Sequence, residues 1–185
     1  MDGMHGNSKM GWGRFFAMIA TSTAIMFVLM YQLVYAQDHL FFSLNRLLAS
    51  LAMGCIMALV MLGFMWKMYA GQRTRLAVAG FATLGAIALL AMNRNQTLVD
   101  DTAYMRAMIP HHSIAINNSR KATISDPRVR RLADKIIESQ VSEIEQMRAL
   151  IDDIERNGRR GETPLPARDT SITPAMQREI DQAVR

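Results

Sequence analysis

Three stretches without a charged side chain, residues 15–37, 47–66 and 76–93, constrain this chain more than anything else in it. They run for 23, 20 and 18 residues, and a helix of about 20 apolar residues crosses the hydrocarbon core of a bilayer. Inside lipid a helix satisfies every backbone group within its own segment, which an open strand cannot do. The sequence therefore predicts an all-α chain that opens with three transmembrane helices, over residues 15–93. Val34-Tyr35-Ala36 has the form of a signal-peptidase site. The apolar region before it exceeds the usual signal peptide, so the first span is read as an uncleaved helix from Phe15 to Ala36.

Charge gives the orientation. Residues 1–93 carry six basic and two acidic side chains, and residues 94–185 carry fifteen and fourteen. The net charge of +5 thus belongs to the membrane flanks, which argues against nucleic-acid binding. Lys9 and Arg14 precede the first span and Lys67, Arg73 and Arg75 lie between the second and third, whereas the 37–46 turn holds only Arg46. Basic loops stay in the cytoplasm. The expectation is a multi-pass plasma (inner) membrane protein with a cytoplasmic tail at 1–14 and a periplasmic or extracellular C-terminal half. Cys55, the single cysteine, lies in the second span and leaves no intrachain disulfide or cysteine cluster. Met4, His5 and Met10 are read as part of an ordinary polar tail.

Within the second span Ser50, Gly54 and Ala58 form a small-residue stripe suited to close helix contact. Met53, Met57, Met61 and Met65 form another, which drifts around the helix and includes no histidine or acid. Packing is the reading for both.

Residues 94–158 read as a helical hairpin. Thr97 with Asp100 has the form of a capping box. Asp101, Met105, Met108 and His112 recur at helical spacing on one face, and Pro110 should kink the helix that carries them. Asp126-Pro127 starts a second helix and Asn157-Gly158 ends it. On its apolar stripe Gln140 and Glu143 stand where leucine is expected. An antiparallel turn centred near Thr123 places Met108 opposite Gln140, Met105 opposite Glu143 and His112 near Ile136. His111, His112, Met108, Met105, Glu143 and Met147 are the candidate metal ligands, with Gln140 and Asp101 in support. Histidine with thioether suits Cu(I), whereas histidine with Glu143 suits zinc or iron. The other reading is two structural histidines hydrogen-bonded inside a helical bundle.

The pattern D-x3-M-x2-M-I-P-H-H-x2-A-I followed by L-A-x2-I-x3-Q-x2-E-I-x2-M, over Asp101 to Met147, resembles the family filed as domain of unknown function 305. The resemblance implies a ferritin-like helical hairpin in an exported or membrane-anchored protein, and an association of some members with copper. Asn118 stands where the family often has methionine, which removes a soft ligand.

Residues 159–185 form a proline-containing linker and a short helix from Pro174 carrying Met176, Ile180 and Val184. One hairpin leaves the edges of its apolar stripes wet, so we expect two chains to pair as a homodimer. The function expected is metal binding, copper favoured, in metal homeostasis. The alternative is a ligand-free structural or oligomerising module. An enzyme is the weakest reading, because the Glu-x-x-His spacing of di-iron bundles is missing.

Overall fold

The structure is a computed structural model that describes residues 11–184. Among these residues it is all-α, with α1 (Trp12–Leu29), α2 (Leu44–Phe64), α3 (Gln72–Asn95), α4 (Asp101–Lys121), α5 (Pro127–Asn157), α6 (Pro174–Val184) and one 3₁₀ turn at Gln37–His39. The first three are long and apolar enough to cross a membrane. Met4, His5 and Met10 lie outside the described residues. The chain divides into two compact units: residues up to Gln32 with Phe42–Ala103, and Leu33–Phe41 with Tyr104–Arg185.

In the first unit α2 is central and packs against both α1 and α3. Ser50, Gly54 and Ala58 are all buried. A Cβ on Gly54 would stand 2.4 Å from Thr23 Oγ1 on α1, and one on Gly85 of α3 would stand 3.2 Å from Cys55 Sγ. The small-residue stripe is thus used at Gly54 for close contact with α1 of the same chain. Trp12, Phe15 and Tyr69 cluster with ring centroids 5.0–5.7 Å apart, Phe15 edge-on to the other two. The methionine stripe spreads as its drift predicts, from half-exposed Met53 to Met61 and Met65, which pack on this cluster.

The first span ends earlier than expected, at Leu29 instead of Ala36. Arg46 Nη1 donates to Met30 O at 2.7 Å, and its guanidinium lies 4.1 Å from the centroid of the Tyr31 ring. A cation on the last carbonyls is favoured by the helix dipole. The Ser43 N–H donates to Tyr31 Oη, and Ser43 in turn caps α2 by accepting from the Arg46 N–H. At the start of α4 the cap is Asp100, whose Oδ1 accepts from the Ala103 N–H at 2.8 Å. Asp100, expected as the second member of a capping box with Thr97, thus caps α4 itself, since an N-cap oxygen reaches the second or third helical amide.

In the second unit α4 continues through Pro110 without a break. Its buried residues Met105, Ile109 and Ile116 meet Ile144, Met147 and Ile151 of α5 in one apolar cluster. Asp126 caps α5 by accepting from the Arg128 N–H at 2.8 Å, Pro127 follows as the first helical residue, and Gly158 ends the helix at φ 79°. Thr173 Oγ1 accepts from the Met176 N–H to start α6, and Arg128 Nη1 holds the Val184 carbonyl.

The hairpin register differs from expectation by about two turns of α5. His112 meets Glu143 instead of Ile136, and Arg106 reaches Glu155. Helical side chains lean toward their own N-terminus. Side chains of α4 therefore lean away from the turn and those of α5 lean toward it. Each α4 residue meets a residue further along α5 than the backbone levels suggest, and long side chains widen the offset.

Candidate functional site

His112 projects from the middle of α4 with 12% of its side chain exposed. Its Nε2 lies 2.8 Å from Glu143 Oε2 on α5, and its Nδ1 lies 2.8 Å from the Met108 carbonyl one turn back. A carbonyl only accepts, and so does an ionised carboxylate. Nδ1 therefore donates to the Met108 carbonyl, and Nε2 faces the Glu143 carboxylate. Glu143 is half-exposed and is itself supported on α5. Its Oε1 accepts from Ser139 Oγ at 2.7 Å, and its Oε2 faces Gln140 Nε2 at 3.5 Å.

The structure brings together some of the candidate residues. His112 and Glu143 touch, and Gln140 stands beside Glu143 as a supporting group. Met108 contributes its carbonyl to His112 while its side chain packs against the apolar cluster. Met105 and Met147 are buried in that cluster. His111 sits edge-on to His112, centroids 5.9 Å apart, but is exposed, and Asp101 is exposed in the first turn of α4. Among the described residues no group of three or more His, Cys, Asp or Glu is placed to hold a metal ion.

The sequence reading missed the segment between the first two helices. Leu33–Phe41, expected as part of a span and a polar turn, belongs to the same unit as the hairpin. Its anchor is Ser113, the residue after His112, which is fully buried. Ser113 Oγ accepts from the Tyr35 N–H at 2.8 Å and stands at hydrogen-bond distance, 2.9 Å, from His39 Nδ1. Arg120 donates to Tyr35 Oη and lies over its ring. Arg148 of α5 donates to the Asp38 carbonyl at 3.0 Å and pairs with its carboxylate at 2.8 Å. Burial works against the Asp38 charge, yet the Arg148 hydrogen bond and the nearby positive charge hold its carboxyl below the ordinary carboxylate range. Phe41 completes the clasp by packing on the apolar cluster.

Asp38, His39 and Ser113 carry the side-chain types of a nucleophilic triad. The geometry does not support that chemistry: Ser113 is fully buried in mid-helix, and its oxygen already accepts from Tyr35. These contacts join residues 74 to 110 positions apart. The only local signal was the placement of Tyr35, Asp38, His39 and Phe41 in a turn that a bare connection would fill with small polar residues.

Among known proteins, the chain is 34% identical over 104 residues to the uncharacterized protein L153 of Acanthamoeba polyphaga mimivirus, an alignment covering 52% of this chain and 68% of the relative. No solved structure matches it at a significant level. The family model for the domain of unknown function DUF305 matches residues 77–183, which takes in α4, α5, the His111-His112 pair and nearly all of α6. That match covers more than half of the chain, and the protein belongs to the DUF305 family.

Proposed function

We propose that this chain is a plasma-membrane protein whose α4–α5 hairpin, on the periplasmic or extracellular side and ferritin-like in kind, binds a metal ion, copper favoured, in metal homeostasis. The observation that carries the reading is the contact between His112 and Glu143, an imidazole held at the seam of two helices by a half-exposed carboxylate. Imidazole with thioether suits Cu(I), and imidazole with carboxylate suits zinc or iron. His112 and Met108 are the core of the proposed set, with His111, Met105, Glu143 and Met147 completing it and Gln140 and Asp101 supporting. A ligating nitrogen needs its lone pair, so His112 must first release Glu143 or the Met108 carbonyl. Metal uptake then releases protons.

The same two acceptors favour a second reading, in which His112 is a ligand-free interhelical tie in a structural or oligomerising module. The two readings separate in the full-length protein in detergent, where the Leu33–Phe41 clasp is kept. The metal reading expects Cu(I) or Zn(II) to bind stoichiometrically and the double variant His111→Ala, His112→Ala to lose it. Equal binding by both proteins sinks it. Pairing of two copies fits the exposure of Tyr104 and His111 on one face of α4, and light scattering on the same sample tests it. The orientation rests on the basic residues at 9, 14, 67, 73 and 75. It predicts an active alkaline phosphatase fusion at the C-terminus.

A further inference from the structure

In the first unit, the start of α2 and the end of α3 share a small network of amides. Gln96, just past α3, has φ 54° and is the only non-glycine residue with positive φ among those described. Glycine or asparagine is the usual choice at such a position. Glutamine supplies instead a side chain that bridges two helices: its Nε2 donates to the Asn93 carbonyl and its Oε1 accepts from Asn45 Nδ2 at 2.9 Å. A backbone carbonyl can only accept, so the first bond identifies which end of the Gln96 amide is nitrogen. The second bond then does the same for Asn45.

Asn45 Oδ1 is therefore an acceptor, and it is buried with no hydrogen-bond partner, as is Asn93 Oδ1. The antiparallel register that sets Cys55 against Gly85 puts Asn45 level with the last turn of α3, where Asn93 sits. Buried polar atoms are nearly always satisfied. Asn45 and Asn93 thus each carry a buried, unsatisfied oxygen, and Gln96 bonds to both residues from a rare backbone conformation. The C-terminal end of α3 adds the negative end of its helix dipole, a setting that suits a bound cation at the ends of membrane helices. Every donor is a neutral oxygen, whereas calcium sites draw on several carboxylates. Arg46, next to Asn45, is turned to the Met30 carbonyl and the Tyr31 ring.

We propose that Asn45, Asn93 and Gln96 form a binding site for a monovalent hard cation, sodium, where α2 begins and α3 ends. The test is thermal unfolding of the full-length protein in detergent, in sodium, potassium or choline chloride at equal ionic strength and with a calcium arm, together with direct binding of radioactive sodium. Sodium should raise Tm over choline by about 3 °C, saturably, the size expected from binding a ligand at several times its Kd to a chain of this length. Asn45→Ala and Asn93→Ala should abolish the sodium-minus-choline difference whatever their own Tm. Gln96→Gly, which relaxes the backbone, should abolish it too. No sodium-specific shift with no bound sodium, as a water in the site would give, overturns the proposal. So does a shift that survives in all three variants, or a response to potassium or calcium alone.

Discussion

Replacing Ser113 with alanine tests whether Leu33–Phe41 is held by the hairpin. Ser113 is fully buried and its hydroxyl serves two partners, the Tyr35 N–H at 2.8 Å and His39 Nδ1 at 2.9 Å. Alanine nearly preserves the packing and removes both bonds. Leaving a buried group unsatisfied costs about 1–3 kcal/mol, which lowers the free energy of local opening by the same amount. Hydrogen exchange reads this directly, because the Tyr35 amide has Ser113 Oγ as its acceptor. When closing is fast, exchange of that amide should accelerate roughly 5- to 150-fold, the Boltzmann equivalent of that cost. His39→Ala should accelerate it less, since the Tyr35 bond survives. The double variant should show less than the sum of the two effects, because both substitutions remove the same Ser113–His39 bond. Amides of α2 serve as the control and should not change. Unchanged exchange at Tyr35 in Ser113→Ala refutes the clasp and returns the segment to a free connection.

Glu143→Gln keeps the size of the side chain but weakens the pairing with His112, so thermal unfolding should report a loss of about 1 kcal/mol, modest because Glu143 is half-exposed; a rise in stability would contradict the interhelical tie. Gly54→Ala should destabilise the α1–α2 contact by about 1–3 kcal/mol, since its Cβ meets Thr23 Oγ1 at 2.4 Å. Adding Thr23→Ala should restore most of the loss in a detergent unfolding assay, and failure to do so removes the close-contact explanation. The hydrogen bonds from Arg128 lower Asp126 from 3.8 to about 2. A carboxyl depressed on folding contributes stability above pH 4 that is lost as pH falls toward 2. An NMR titration of the side-chain carboxyl that returned an ordinary midpoint would rule out the cap.

Much of the architecture was legible in the chain because its causes are local. The second and third uncharged runs, the Asp126-Pro127 start, the Gly158 stop and the Pro174 start each depend on a few adjacent residues, and each is where the structure has it, whereas the first run is helical only as far as Leu29. Composition also identified His112 and Glu143 as polar residues on apolar helix faces. Their pairing was decided only in three dimensions. The tilt of helical side chains toward the N-terminus carries contacts up the hairpin, so sequence distance from the turn gave the wrong partner for His112. The early end of α1 and the clasp by Leu33–Phe41 were equally hidden. Arg46, Ser113, Arg120 and Arg148 create them by meeting residues distant in sequence, and a hydrogen-bond acceptor that arrives through tertiary packing leaves no periodicity in the segment it captures.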